Sequence, residues 1–144
     1  MGKTFQTLQY QLMEKAIQTL LAFDYGLKNV GVAVGNTLTA QARPLMTISA
    51  VGKERWSKIE SLLQEWQPDA LVVGVPFHPD GAKHENTLRA QKFARQLQGR
   101  YRLTVYEVDE RYSTTAAYEM GAVEKTVDSL AAAIILQQYL ESAL

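Results

Sequence analysis

Three acidic side chains stand where apolar segments of the chain end or begin: Asp24, Glu110 and Asp128. Asp24 ends the run LLAFD, Glu110 follows Asp109 directly after a second apolar run, and Asp128 opens the stretch DSLAAAIIL. Each acid has a structural explanation when it is taken alone. Asp24 fits a turn aspartate that bonds its own backbone, Glu110 an ion pair with Arg111, and Asp128 a first-turn aspartate favoured by the helix dipole.

Considered together, the three acids indicate a shared chemical role. The ends of two strands and the start of a helix can meet at one edge of a sheet, which is where ligands collect in α/β proteins. Clustered carboxylates repel one another unless a cation neutralises them. Mg²⁺ or Mn²⁺ takes oxygen ligands, and two such ions about 3.5–4 Å apart can stabilise both the attacking and the leaving oxygen of phosphodiester hydrolysis. The pattern therefore predicts Asp24, Glu110 and Asp128 as metal ligands.

The N-terminal part of the fold, which helps to position these acids, is predicted to consist of strands. Residues 20–24 and 30–35 are apolar and compatible with β structure, and the intervening Gly26-Leu27-Lys28-Asn29 predicts a hairpin between them. Residues 42–49 can add a third strand after a polar turn. The chain is therefore expected to begin its fold as a three-stranded meander.

Two helix-strand units follow. Apolar residues at helical spacing predict a helix that Pro68 stops, and residues 70–75 form an all-apolar strand typical of a buried parallel sheet. A second helix is predicted from about Thr87 to Gln98, ending at Gly99, before a strand over 103–108. A short helix is expected after Ser113. The residues that define the first helix are Trp56, Ile59, Leu63 and Trp66.

The last predicted helix covers residues 128–140 and would pack on the sheet through Leu130, Ala133, Ile134 and Tyr139. The whole pattern predicts an α/β fold, a mixed five-stranded sheet whose first three strands form a meander, with helices on both faces.

Length and composition limit the possible functions. The chain has 144 residues, 47% of them hydrophobic, which suits one compact domain. Because 15 Lys and Arg balance 15 Asp and Glu, any polyanion site must be a local patch. The absence of cysteine is typical of a reducing compartment, so a cytoplasmic location is expected. No segment reaches the roughly 18 consecutive apolar residues of a membrane helix.

Residues 1–19 are predicted to be an N-terminal helical extension, and residues 20–144 the functional domain. The extension places Phe5, Leu8, Leu12 and Ala16 at helical spacing. Such a stripe is typical of a segment that packs on its own domain or forms an oligomer contact, for example in a homodimer.

A local basic segment can supply the contacts to nucleic acid. Residues 81–102 contain six lysine or arginine residues and a single acidic residue, Glu85. On a helix, Arg89, Lys92 and Arg95 share one face, where they either contact phosphates or form an ordinary solvated surface. Two further basic residues, Lys28 in the predicted hairpin and Arg111 next to Glu110, are near the predicted metal site. The full set predicted to bind nucleic acid is Lys28, Lys83, Arg89, Lys92, Arg95 and Arg111.

Four motifs in this order resemble the YqgF/RuvX family, whose members are described as Holliday junction resolvases and as pre-16S rRNA nucleases. They are Asp24-x-Gly26-x-x-x-x-Gly31, VVGVPFHPDG over 72–81, VDERYST over 108–114 and TVDSLAAAIIL over 126–136. The resemblance runs from about Leu20 to the C-terminus. It implies a ribonuclease H-like fold and a metal-dependent nuclease site, with Asp24, Glu110 and Asp128 at the family's acidic positions.

The resulting functional hypothesis is a divalent-metal-dependent endonuclease acting on structured nucleic acid, with 5′-end processing of pre-16S rRNA preferred. Holliday junction cleavage in DNA recombination is the alternative substrate. Two other classes stay open: an inactive nucleic-acid-binding module, and an ATPase-like phosphate binder that uses the Asp-x-Gly loop. The histidines His78 and His84 are interpreted as loop residues rather than ligands.

Overall fold

The protein is represented by a computed structural model, which describes residues 18–110, 121 and 127–143. The strands are β1 (Thr19–Tyr25), β2 (Asn29–Asn36), β3 (Gln41–Ser49), β4 (Ala70–Val75) and β5 (Thr104–Asp109). The helices in this part of the chain are α1 (Glu54–Trp66), α2 (Glu85–Tyr101) and α3 (Val127–Ala143).

The five strands form one mixed sheet in the order β3-β2-β1-β4-β5. β1 pairs antiparallel with β2, and β2 antiparallel with β3, so the first three strands are the expected meander. β4 is parallel to β1 and β5 is parallel to β4, because a helix crosses over before each of them. This arrangement confirms the predicted α/β architecture, a mixed five-stranded sheet whose first three strands form a meander.

Helices cover both faces of the sheet, and alternate residues of β1 belong to different faces. Leu21 and Phe23 pack in the hydrophobic cluster that includes residues of α1 and α2. Leu20 and Ala22 pack in the second cluster, which contains residues of α3. Because side chains alternate along a strand, Asp24 belongs to the α3 face.

The predicted end of the second helix needs correction. α2 does not end at Gly99 but continues to Tyr101, where Arg102 adopts a left-handed conformation with φ of 55° and its N–H bonds the carbonyl of Gln98. The last turn thus closes on arginine, although glycine is the usual residue for this conformation. The short helix expected after Ser113 lies outside the described residues.

The contact face of α3 also differs from the prediction. Ala133 is buried as expected, whereas Leu130 and Tyr139 are only partly buried and Ile134 packs in a separate small cluster near the start of the helix. The residues of α3 that are fully buried against the sheet are Ala132, Ile135, Leu136 and Leu140.

Residues 1–17 lie outside the described residues, so the helical extension stays a prediction. None of the helices in the described ranges is long and apolar enough to span a bilayer.

Candidate metal and nuclease site

Asp24 occupies the centre of a row of three residues in which both neighbours are glycines. In the antiparallel ladder it faces Gly31 of β2, and in the parallel ladder it aligns with Gly74 of β4. The central strand therefore carries the only side chain of this row. The space above the two glycines is open to groups from other elements.

The chain segments that bear Asp128 and Glu110 occupy the space above these two glycines. A Cβ atom on Gly31 would collide with the backbone carbonyl of Asp128, so the start of α3 lies directly on this glycine. A Cβ atom on Gly74 would lie 2.7 Å from Oε2 of Glu110. Glu110 comes immediately after β5 and its N–H bonds the carbonyl of Val75, which prolongs the β4–β5 ladder. Segments distant in sequence thus meet around Asp24.

The carboxyl group of Asp24 is strongly affected by its surroundings. Burial raises its pKa above the usual value of 3.8, a hydrogen bond with the Glu110 side chain lowers it, and the charge of Asp128 raises it further. The net direction is upward. The hydrogen bond joins the carboxyl groups of Asp24 and Glu110 in one site.

Asp128 lies in the first turn of α3, where the helix dipole favours negative charge. Burial raises the pKa of its carboxyl group as well. In the part of the chain that the structure describes, no three His, Cys, Asp or Glu side chains are close enough to hold one ion together. The acids meet in pairs, Asp24 with Glu110 through a hydrogen bond and Asp24 with Asp128 through their charges.

The donor chemistry nevertheless fits a hard divalent cation. The three groups are carboxylates, the chain has no cysteine, and Mg²⁺ or Mn²⁺ prefers oxygen ligands. Burial opposes charge on Asp24 and Asp128, the charge of Asp128 further opposes charge on Asp24, and a bound cation would favour the charged forms of both. The chemistry of Asp24, Glu110 and Asp128 is thus compatible with ligation of a hard divalent cation.

The predicted nucleic-acid contacts fall into two separate groups. Lys28 is exposed in the turn between β1 and β2, and Lys83 is exposed in the loop between β4 and α2. Both loops leave the end of the sheet at which Asp24 lies. Arg111, the other basic residue predicted to lie near the acids, is outside the described residues.

The basic stripe of α2 lies on the other side of the molecule. Its helix packs through Phe93 and Leu97 in the cluster with α1, whereas Asp24 faces α3. Lys92 and Arg95 are exposed, and Arg89 forms an ion pair with Glu85 at 3.1 Å. The stripe and the three acids are therefore on opposite faces of the sheet.

Two local roles were missed by the sequence reasoning. His84 caps α2, since its Nδ1 accepts a hydrogen bond from the N–H of Asn86 at 3.1 Å. Its own N–H bonds the Thr87 hydroxyl at 3.1 Å, which completes a capping box. The second role belongs to Gly74. A glycine inside an otherwise apolar buried strand marks a close approach by another group, and this signal was readable in ALVVGV.

The family comparison agrees with this arrangement of motifs. Residues 18–142 match the family described as RuvX: Holliday junction resolvase. The chain belongs to this family. Because the RuvX family is a nuclease family, the chain is a nuclease of the class that hydrolyses phosphodiester bonds.

Curated relatives carry a second description. A protein of Albidiferax ferrireducens named "Putative pre-16S rRNA nuclease" is 63% identical over 126 residues, which is 88% of this chain and 80% of the relative. A Polaromonas protein of the same name is 60% identical over 88% of this chain and 90% of its own length. Among solved structures, T. thermophilus RuvC in complex with a Holliday junction substrate is 19% identical over 87% of this chain and 94% of that chain, with a TM-score of 0.48.

Proposed function

We propose that this RuvX-family protein is a divalent-metal-dependent endonuclease whose reaction is the 5′-end processing of pre-16S rRNA. The observation that supports a metal-dependent reaction most strongly is the position of Asp24 between Glu110 and Asp128, with two glycines making room for them. The names of the relatives at 63% and 60% identity support the choice of substrate.

In this proposal the three acids divide the work of holding the cation. Asp24 is the central ligand because it interacts with both other acids, and Asp128 supplies a second carboxylate from the start of α3. Glu110 lies against Asp24 from the end of β5 and would supply a third carboxylate to the cation. When bound, Mg²⁺ or Mn²⁺ would lower the pKa of water and neutralise charge on the scissile phosphate.

Substrate would approach from the end of the sheet where the acids lie. Lys28 and Lys83 are exposed in loops at that end, and ammonium groups contact phosphates without reading the base sequence. These lysines would also offset the repulsion between a polyanion and three carboxylates. The stripe on α2 lies on the opposite face of the sheet from the acids, so in this proposal it binds a different part of a long substrate.

A cleavage assay with two substrates tests the proposal. The substrates are an RNA that contains the 5′ precursor end of 16S rRNA and a four-way DNA junction, each with Mg²⁺, Mn²⁺ or Ca²⁺. We expect RNA cleavage with Mg²⁺ or Mn²⁺ and none with Ca²⁺, whose looser coordination does not hold in-line geometry. Asp24→Asn should be inactive, because the amide keeps the shape and loses the charge.

The other outcomes separate the alternatives. Cleavage of the junction alone would support the resolvase, which the matched family description favours. Binding of either nucleic acid without cleavage under all these conditions would support the inactive module. Thermal stabilisation by ATP, absent in the Asp24→Asn variant, would support the ATPase-like phosphate binder.

A further inference from the structure

We propose that Gly74 is a positioning residue for Glu110: the space left by its missing side chain is where the Glu110 carboxyl group must lie to reach Asp24. The effect on cleavage rests on the proposed function, whereas the effect on the position of Glu110 does not. Two groups occupy this space. Glu110 Oε2 lies 2.7 Å, and its carboxyl carbon 3.2 Å, from the place of a Cβ atom, and Cδ1 of Ile135 lies closer still.

The sequence of β4 indicates that glycine is not chosen for the strand itself. The other five positions are alanine, leucine or valine, and all six residues are buried. Glycine weakens a strand because it loses more backbone freedom on folding and offers no side chain to pack. A residue with a Cβ atom would therefore favour the strand at position 74 but would compete with the Glu110 carboxyl group.

A methyl group added at Gly74 would disturb different atoms from one added at Gly31. At Gly74 the crowded atoms are the far ends of two flexible side chains, Glu110 and Ile135, which can rotate away. At Gly31 the crowded atoms belong to the backbone of Asp128 and Ser129, which can move only with α3. Substitution of Gly74 should therefore spare the fold and displace the carboxyl group.

Gly35 provides a matched control on the same sheet. It lies in β2 under the same helix, and a Cβ atom there would be 2.7 Å from the carbonyl of Gln41 and 3.1 Å from Leu136. It is four residues from Gly31, toward the opposite end of the strand from the acids. Gly35→Ala should cost stability without changing the surroundings of Asp24.

The first readout is structural and needs no metal. Crystal structures of wild type and of Gly74→Ala are compared, together with Gly74→Ala/Ile135→Val, in which the loss of Cδ1 leaves Glu110 as the only crowded side chain. We expect the Glu110 carboxyl group to leave the Asp24 carboxyl group in both variants. If the carboxyl group keeps its hydrogen bond to Asp24 in the double variant, the proposal is wrong.

The second readout is Mn²⁺ affinity by titration, with cleavage as a separate measurement. Gly74→Ala and the double variant should bind Mn²⁺ at least about tenfold more weakly, a loss of the size seen when groups that orient metal ligands are removed. Ile135→Val and Gly35→Ala should stay within about threefold of wild type, per folded molecule. Unchanged affinity in the double variant would contradict the proposal.

The two proposals can fail separately. If wild type neither binds Mn²⁺ nor cleaves nucleic acid, the proposed function is wrong, and the crystallographic position of Glu110 still decides the role of Gly74. If wild type binds and cleaves but the double variant does so equally well, the positioning role alone is wrong.

Discussion

The backbone carbonyl of Asp128 occupies the space in which a Cβ atom on Gly31 would lie. Gly31 thus allows α3 to approach β2 closely enough to bring Asp128 near Asp24. We expect Gly31→Ala to lower the free energy of unfolding by about 3 kcal/mol or more, because the whole helix must shift to relieve the overlap. Urea denaturation measures this change. A loss below about 1 kcal/mol would mean that α3 is not seated on this glycine.

Replacing Asp24 by asparagine should remove activity and increase stability. Burial and the charge of Asp128 both oppose ionisation of the Asp24 carboxyl group, and an amide does not carry this cost. We therefore expect Asp24→Asn to unfold at higher urea concentration than wild type at neutral pH with a chelator present. Glu65→Gln, on the exposed surface of α1, is the control and should change little. A less stable Asp24→Asn would support the structural turn aspartate instead.

The pH dependence of stability follows from the same raised pKa. Between the usual value of 3.8 and the higher folded value, the folded state keeps a proton that the unfolded state has lost. The contribution of Asp24 to the free energy of unfolding is therefore present at the acid end of this window and is lost as pH rises through the folded pKa. The stability difference between Asp24→Asn and wild type should grow in favour of the variant over that range.

This experiment uses the difference between the two proteins because other carboxyl groups titrate over the same range. Mg²⁺ should shrink the difference at the alkaline end, since the cation binds the ionised form of wild type. A difference that does not depend on pH would mean that Asp24 ionises as an ordinary carboxyl group does.

The basic stripe of α2 and the lysine pair Lys28 and Lys83 should affect different quantities: the affinity for nucleic acid and the cleavage rate, respectively. Arg89→Gln, Lys92→Gln and Arg95→Gln together should weaken binding to all sequences and flatten the dependence of log affinity on log salt. The expected loss of slope is roughly 0.9 per phosphate contact on duplex DNA and 0.7 on single strands. Binding isotherms at several salt concentrations measure it. An unchanged slope would identify the α2 stripe as a solvated surface.

Lys28→Gln with Lys83→Gln should instead lower the cleavage rate at saturating substrate, because these lysines lie at the acid end of the sheet. Single-turnover kinetics separate this effect from binding. If the α2 triple variant loses the cleavage rate and the lysine pair does not, the substrate approaches from the other face.

The succession of strands and helices along the chain could be predicted because local signals agreed with the global fold. The turn after Asp24, the all-apolar strand β4 and the helical spacing from Trp56 to Trp66 each predicted the element that is present. The face of α3 could not be predicted in the same way. Its residues from Leu130 to Leu136 are all apolar, so the sequence contains no period that distinguishes the sheet side.

The proximity of the three acids was predictable from the sequence, but the way in which they approach one another was not. Strand ends predicted which acids share an edge, whereas the positions of Asp128 and Glu110 relative to Asp24 depend on close approaches over Gly31 and Gly74, respectively. The proximity of the α2 stripe to the acids was also undecided, since a helix that follows a strand can pack on either face. Only the packing of Phe93 and Leu97 against the α1 side determines it.

The most direct test of the metal site is the anomalous difference density of Mn²⁺ in a crystal of the wild-type protein soaked with that ion. We expect a peak at the C-terminal end of β1, within coordination distance of the carboxylates of Asp24, Glu110 and Asp128, at about 2–2.6 Å as for hard divalent cations. The peak should be absent from Asp24→Asn crystals soaked in the same way. No peak in wild type, or a peak that contacts none of these three acids, would contradict the account.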